Sequence, residues 1–169
     1  ASYRLARLLA VLLLGCHSGP RTPPGLTYYL NSDPASLDPA LSTDVQTGEV
    51  IALLFDNLVQ FDTEGQLRPG IARRWEADAT GRVYTFHLRR DAAFHDGRPI
   101  GAREVRASLL RALDPGSRAG RQWPLFPIAG ARAYAAGTVG SVRGIAAPDD
   151  STLVFTLEEP LNIFPKLLA

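Results

Sequence analysis

The sequence is poor in the residues on which many metal-binding and disulfide-stabilised proteins depend. Its 169 residues include one cysteine, three histidines and no methionine. A single cysteine cannot form an internal disulfide, which excludes a small secreted domain held together by such bonds. The histidines and the cysteine also lack a ligand spacing such as H-E-x-x-H, so the sequence predicts no metal site.

Motifs that mark common enzyme classes are missing as well. Residue types for a hydrolytic triad occur at separate places in the chain, at Ser36, Ser108, His87, His95 and Asp96. There is no G-x-S-x-G motif to present a serine nucleophile, and His87 falls in the middle of a predicted strand. The sequence also lacks a G-K-S or G-K-T phosphate loop, the motif with which many enzymes bind and hydrolyse ATP. We therefore expect a protein that is not an enzyme and needs no cofactor.

The charges are balanced and scattered. Lys and Arg total 18 against 17 Asp and Glu, and every cationic residue except Lys166 is an arginine. No basic stretch with interleaved aromatic residues occurs, so we expect no nucleic-acid partner. With 46% hydrophobic residues, the chain can bury one ordinary core, as a single domain or as part of a larger one.

The first residues have the layout of a secretion signal. Arg4 and Arg7 precede the apolar run Leu8–Leu14, which Gly15 and Cys16 end. This run is much shorter than the roughly 20 residues that span a bilayer. We therefore predict that residues 1–15 are a signal peptide. Because no initiator Met is present, the sequence also looks incomplete at its start.

The cysteine follows the predicted signal directly. Leu13-Leu14-Gly15-Cys16 resembles the bacterial lipobox, in which the cysteine becomes the lipidated N-terminus of the mature protein. Cys16 is therefore the predicted lipidation site, and residues 16–25 the lipidated N-terminus and linker to the folded domain. Leu14 is bulkier than usual at its position, so an ordinary signal peptide is the alternative.

Hydrophobic periodicity divides the remainder into short elements. Alternating residues predict a strand at Leu26–Asn31, whereas helical spacing and a possible Thr43–Gln46 capping box predict a helix at about Asp44–Leu58. Leu67–Gly70 is predicted as a loop. Two hairpins are predicted later in the chain, one of strands 74–77 and 83–88 and one of strands 142–146 and 152–157. Two more helices are predicted, one through Val105 and Leu113 and one that starts near Asn162.

From residue 26 onward, several strings together resemble the family 5 extracellular solute-binding proteins, which include oligopeptide- and dipeptide-binding proteins. They are Ser36-Leu37-Asp38-Pro39, Leu58-Val59, Pro69-Gly70-Ile71-Ala72 leading to Trp75, Tyr84-Thr85-Phe86-His87-Leu88-Arg89, Phe94-His95-Asp96-Gly97-Arg98-Pro99, Glu104-Val105 and Leu113-Asp114-Pro115. Gly101 departs from the pattern, since a Ser or Thr helix cap is common there; the loss weakens that helix start by about 1 kcal/mol or less.

The resemblance implies an α/β fold: a type II periplasmic-binding-protein-like lobe with a mixed sheet, hairpins and flanking helices. Residues 26–169 would form the N-terminal part of the solute-binding domain, truncated, with the second lobe missing. Such lobes close on a ligand by hinge motion. The fragment alone is therefore not expected to trap a solute.

The implied function is the extracytoplasmic substrate-binding subunit of an ABC transporter, lipid-anchored on the outer face of the cytoplasmic membrane. It would capture peptides or similar small solutes and deliver them to ABC permease subunits. One alternative is a sensory or regulatory protein of the same fold. Another is a truncated remnant that binds nothing.

The resemblance also implies ligand-binding residues. Thr43, Asp44 and Val45 follow the Leu37-Asp38-Pro39 string and would line the cleft, and Trp123 would offer an aromatic surface to the ligand. The competing interpretation is structural: Thr43 caps a helix and Trp123 fills a core. Trp75, Tyr84, Phe86, Asp96, Gly97 and Pro99 are predicted to be structural.

Overall fold

The computed structural model describes residue 25 and residues 27–169. The predicted signal peptide, Cys16 and all but the last residue of the predicted linker lie outside the described residues. Residues 32–169 form one compact unit. Residues 27–31 belong to a separate unit and adopt no strand, so the strand predicted at Leu26–Asn31 is wrong over its described part.

The compact unit contains short helices and strands joined by 3-10 turns. The helices are α1 Val45–Leu54, α2 Ala102–Leu113 and α3 Ala131–Ala135. The strands are β1 Val59–Phe61, β2 Leu67–Pro69, β3 Ala72–Ala77, β4 Val83–Leu88, β5 Ile145–Asp149 and β6 Thr152–Thr156. The 3-10 turns are Pro39–Leu41, Pro115–Ser117, Trp123–Leu125 and Phe164–Leu168.

The main sheet has four strands in the order β3-β4-β6-β5. It is built from the two predicted hairpins, β3–β4 and β5–β6, joined where β4 pairs with β6. Every strand pair among the described residues is antiparallel, so the pairing is more uniform than the mixed sheet implied by the resemblance. The α/β class, with hairpins and flanking helices, is confirmed.

The core lies on one face of this sheet because β4 and β6 alternate strictly. Along β4 the buried side chains are Tyr84, Phe86 and Leu88, as the period-2 pattern predicts. Phe155 of β6 packs edge-on against Phe86, with ring centroids 5.4 Å apart. Phe155 also contacts Phe164 at 5.2 Å. These rings join the central strands to the 3-10 turn near the end of the chain.

A separate two-stranded hairpin corrects one prediction. Residues Leu67–Pro69 are a strand rather than a loop, paired with Val59–Phe61 so that Phe61 faces Leu67. Asp62 stabilises the connecting turn, since its carboxylate accepts the backbone N–H groups of Glu64 and Gln66. The proline at the end of β2 conceals the strand in the sequence, because proline is depleted in strands.

Two helices differ in extent from their predictions. The first was expected to reach Leu58 but ends at Leu54, and Leu58 is instead buried directly before Val59, the buried first residue of β1. The carbonyl of Leu58 accepts hydrogen bonds from the N–H groups of Gly70 and Ala72. The helix expected near Asn162 is a 3-10 turn at Phe164–Leu168.

Helix α2 spans the predicted region and begins without a side-chain cap. Gly101 occupies the cap position, and the Glu104 carboxylate accepts the Gly101 N–H at 3.0 Å. The next N–H, that of Ala102, donates to the Asp150 carbonyl in the β5–β6 turn. The helix start is therefore supported by the sheet as well as by its own first turn.

Candidate functional site

The predicted binding segment follows a turn that is anchored to helix α2. The hydroxyl of Ser36 accepts the N–H of Asp38 at 3.0 Å, and one Asp38 carboxylate oxygen accepts the N–H of Ala40 at 3.0 Å. The other carboxylate oxygen binds the guanidinium of Arg111, near the end of α2. The Ser36-Leu37-Asp38-Pro39 string therefore fixes where the chain enters the site.

Asp44, rather than Thr43, caps helix α1. Its carboxylate accepts the N–H of Thr47 at 2.8 Å, so the Thr43–Gln46 capping box is wrong by one residue. The Thr47 N–H and then the Thr47 hydroxyl lower the pKa of the Asp44 carboxyl below its ordinary value, and the charge of Arg121 adds to this. Asp44 is therefore ionised and exposed at the start of the helix.

A second loop packs against this segment from a distant part of the sequence. The Arg121 guanidinium donates to the carbonyl of Thr43 at 3.1 Å. The N–H of Gly120 donates to the carbonyl of Ala40, also at 3.1 Å. We refer to residues 40–45 as the entry segment and to residues 118–123 as the facing loop.

Trp123, at the end of the facing loop, is exposed. It begins a 3-10 turn with 61% of its surface accessible, so the interpretation that it fills a core is wrong. The turn is fixed from below by Leu125, which is buried, and by a hydrogen bond from the Gln122 side chain to the carbonyl of Ala112. An exposed indole on a fixed turn offers a flat apolar surface to a ligand.

The structure therefore brings the four predicted binding residues onto two adjoining loops. Thr43, Asp44 and Val45 are all exposed, with 71% of Val45 accessible, and they surround the start of α1. They combine a peptide carbonyl, a carboxylate and an apolar side chain. Arg121 and Gly120 belong to the same arrangement but were not predicted, because no local pattern links residues 78 positions apart.

A groove of about 620 Å³ lies at the opposite end of α1. Its walls are mainly apolar, and include Leu53, Phe55, Phe94 and Leu109. None of the four predicted binding residues lines it. His95 and Ser108 do, but no hydrogen bond joins these two side chains among the described residues, so they form no hydrolytic pair.

The residues predicted to be structural have structural contacts. Trp75 stacks on Phe86 with ring centroids 6.3 Å apart and packs against the core. The hydroxyl of Tyr84 donates to the Leu161 carbonyl at 2.8 Å, and burial raises the pKa of Tyr84. Asp96 accepts the N–H of Arg98 within its own turn. These residues build the fold that carries the entry segment.

The sequence profile of the bacterial extracellular solute-binding proteins, family 5 (middle), matches residues 66–169, more than half of the chain. The chain belongs to this family. The family's own description is that of extracellular solute-binding proteins. Within residues 25 and 27–169, no group of three His, Cys, Asp or Glu side chains converges in a way that could hold a metal ion.

Individual proteins resemble this one over most of its length. The probable deoxycholate-binding periplasmic protein YgiS of Escherichia coli K12 is 36% identical over 152 residues, which are 84% of this chain and 27% of YgiS. The structure of the E. coli murein tripeptide binding protein MppA superposes with a TM-score of 0.79 at 34% identity, covering 83% of this chain and 28% of MppA.

A third relative was solved with a peptide. The complex of Haemophilus influenzae OppA with RPPGFSPFR superposes with a TM-score of 0.77 at 31% identity, over 81% of this chain and 27% of OppA. The present chain therefore spans about a quarter of the length of these relatives. No helix among its described residues has the length and apolar character needed to cross a membrane.

Proposed function

We propose that this family 5 protein is the extracytoplasmic substrate-binding subunit of an ABC importer that captures peptides and delivers them to the permease. The observation that carries the proposal is the exposed entry segment beside the exposed Trp123, in a lobe that superposes on OppA in complex with a peptide. Residues 26–169 would be the N-terminal part of the solute-binding domain. The permease contacts and the remaining ligand contacts would come from the whole protein.

The site chemistry suits a main-chain ligand. Extended peptides bind by hydrogen bonds to backbone groups, while pockets and flat surfaces select their side chains. Backbone groups of Thr43 and Val45 would bond the peptide main chain, and the ionised carboxylate of Asp44 would attract a cationic group. Trp123 would stack on an apolar or planar side chain of the peptide.

Deoxycholate is a second candidate ligand because YgiS carries that name. A steroid acid is mostly apolar and would lie on Trp123 and Val45, while the carboxylate of Asp44 would repel its anionic end. The negative charge of Asp44 favours the peptide proposal, as does the similarity to OppA in complex with a peptide. The two ligands can be compared in one experiment.

The test is calorimetric titration of the complete gene product, without lipid, using pooled di- to pentapeptides and, separately, deoxycholate. We expect saturable peptide binding that Trp123→Ala weakens by about tenfold, the loss of roughly one stacked aromatic contact. Phe61→Ala is the matched control, since it removes another aromatic side chain that is about half exposed and lies in β1. Binding of deoxycholate alone would replace the peptide proposal, and a folded protein that binds neither would favour a sensory role.

We also propose that residues 1–15 are a cleaved signal peptide and that Cys16 is then lipidated, anchoring the protein on the outer face of the cytoplasmic membrane. The Leu13-Leu14-Gly15-Cys16 string supports this. Metabolic labelling with a fatty acid analogue should mark the complete gene product in a bacterial host. Cys16→Ser should lose the label and release the protein from the membrane; labelling that persists would disprove lipidation at this residue.

A further inference from the structure

We infer that Gly120 and Arg121 are positioning residues, which hold the entry segment in the geometry that binds the ligand. This inference rests on the proposed function and adds to it a second loop that the family resemblance did not single out. Two hydrogen bonds join the loops: Arg121 to the Thr43 carbonyl and the Gly120 N–H to the Ala40 carbonyl, each at 3.1 Å.

The two bonds fix the entry segment at both ends. The Ala40 carbonyl lies in the 3-10 turn that Asp38 caps, and the Thr43 carbonyl immediately precedes the Asp44 cap of α1. Between these two points the N–H groups of Leu41 and Ser42 donate to the carbonyls of Asp38 and Pro39 within the turn, and most side chains of the segment are exposed. The facing loop therefore adds two hydrogen bonds from a distant part of the chain to those the turn makes itself.

Gly120 allows this close approach because it has no side chain. A Cβ atom built at residue 120 would lie 2.6 Å from Cγ2 of Thr43, which is closer than carbon atoms approach in proteins. Any larger residue would push Thr43 or separate the loops. Arg121 adds a charge-assisted bond to the Thr43 carbonyl.

The facing loop also carries Trp123, two residues beyond Arg121. The side chain of Gln122 between them donates to the Ala112 carbonyl at the end of α2. The same loop therefore sets the entry segment and presents the indole. Loss of the contacts at Gly120 and Arg121 would alter the relative placement of Thr43 and Trp123 without unfolding the core, since no core residue takes part in them.

The experiment uses the complete gene product with three changes, Arg121→Ala, Gly120→Ala and Arg121→Lys. Arg118→Ala is the matched control, because this arginine lies on the same loop and no hydrogen bond or ion pair joins it to another described residue. Two quantities are measured: amide hydrogen exchange over residues 38–48 without ligand, and peptide affinity by calorimetry. Thermal unfolding checks that each variant is folded.

We expect Arg121→Ala and Gly120→Ala to speed exchange in the entry segment and to weaken peptide binding by about three- to tenfold, the effect of one ordinary hydrogen bond. Arg121→Lys, which keeps a cationic donor, should recover part of the affinity, and Arg118→Ala should change neither quantity.

If amide exchange over residues 38–48 is unchanged in Arg121→Ala, then the Arg121 contact does not order the entry segment. Faster exchange with unchanged affinity would overturn its role in binding. If the unmodified protein binds no peptide, the proposed function fails and the positioning role fails with it. The exchange measurement then still shows whether the contact orders the segment.

Discussion

Aspartates at the turns organise much of the local backbone. Asp62, Asp78, Asp96 and Asp149 each accept backbone N–H groups two to five residues further along the chain. These bonds favour the ionised carboxylate and lower its pKa in the folded protein. At Asp78 the Thr80 hydroxyl contributes most, followed by the N–H of Val83. The turns therefore depend on charged side chains and should respond to acid.

Asp78→Asn should alter the pH dependence of stability. The folded pKa of Asp78 is lowered relative to an unfolded value of about 3.9, so its stabilising effect is complete above that pH and is lost as the pH falls through the folded pKa. The variant should be less stable than the original protein at pH 7, and this difference should shrink below about pH 4. Denaturant unfolding between pH 2 and 7 measures it.

Glu159→Gln is the control for this titration, because it removes a carboxylate that makes no hydrogen bond or ion pair with another described residue. The free energy of unfolding of this variant, plotted against pH, should run parallel to that of the original protein. A difference for Asp78→Asn that stays constant down to pH 2 would show that the carboxylate charge is not what stabilises the β3–β4 turn.

Gly144 lies where three backbone segments meet. Its N–H donates to the Ala129 carbonyl and its carbonyl accepts from Thr156, both at 2.9 Å. A Cβ atom here would lie 2.5 Å from the Thr156 oxygen and 2.7 Å from the Ala129 nitrogen. Gly144→Ala should therefore destabilise the protein by about 3 kcal/mol, measured by denaturant unfolding.

Gly140→Ala is the matched control for that substitution. Nothing lies within 4 Å of a Cβ at residue 140, so alanine should be neutral or stabilising by less than about 1 kcal/mol. If both substitutions change the free energy of unfolding equally, then the close contacts around a Cβ at residue 144 do not destabilise the protein.

At the scale of elements, stability is concentrated where β4 and β6 pair. Phe155 is fully buried and contacts the rings of Phe86 and Phe164. Phe155→Ala should reduce the free energy of unfolding by about 3–5 kcal/mol, as is typical for removal of a buried ring. Phe61→Ala, which truncates a ring that is 51% exposed, should cost much less. If the two variants lose similar amounts of unfolding free energy, then the β4–β6 pair is not the centre of the hydrophobic core.

The elements of the main sheet are the part of the fold that the sequence predicts best. Strand β4 alternates buried and partly buried residues over its whole length, and this period is visible in the sequence. Strand β2 has three residues and ends in proline, so it carries too little pattern to separate it from a loop. Strand β1 is equally short, so the two strands show no alternating pattern although the residues of the turn between them, Asp62 to Gly65, are typical of turns.

The candidate site was predictable only in part. Thr43, Asp44 and Val45 are predicted from a family string, and Trp123 from its place after Leu113-Asp114-Pro115. Their exposure is a tertiary property that periodicity does not determine. The contact between Arg121 and Thr43 joins loops from distant parts of the chain, so the sequence gives no local signal for it.

For the whole molecule, we propose that the entry segment and Trp123 form one side of a ligand cleft. The described residues supply the entry segment and Trp123, whereas the relatives are about four times as long as the segments they share with this chain. Proteins that close two lobes on a ligand take contacts from both. The complete gene product should therefore bind much more tightly than residues 1–169.

Thermal unfolding with saturating peptide tests this difference. A ligand that binds the folded state stabilises it by about 2.7 kcal/mol at one hundred times its Kd, so the complete gene product should melt at a higher temperature in the presence of peptide. Residues 1–169, first shown to be folded by circular dichroism, should melt at the same temperature with and without it. An equal shift in both would mean that the entry segment and the facing loop contain most of the binding energy.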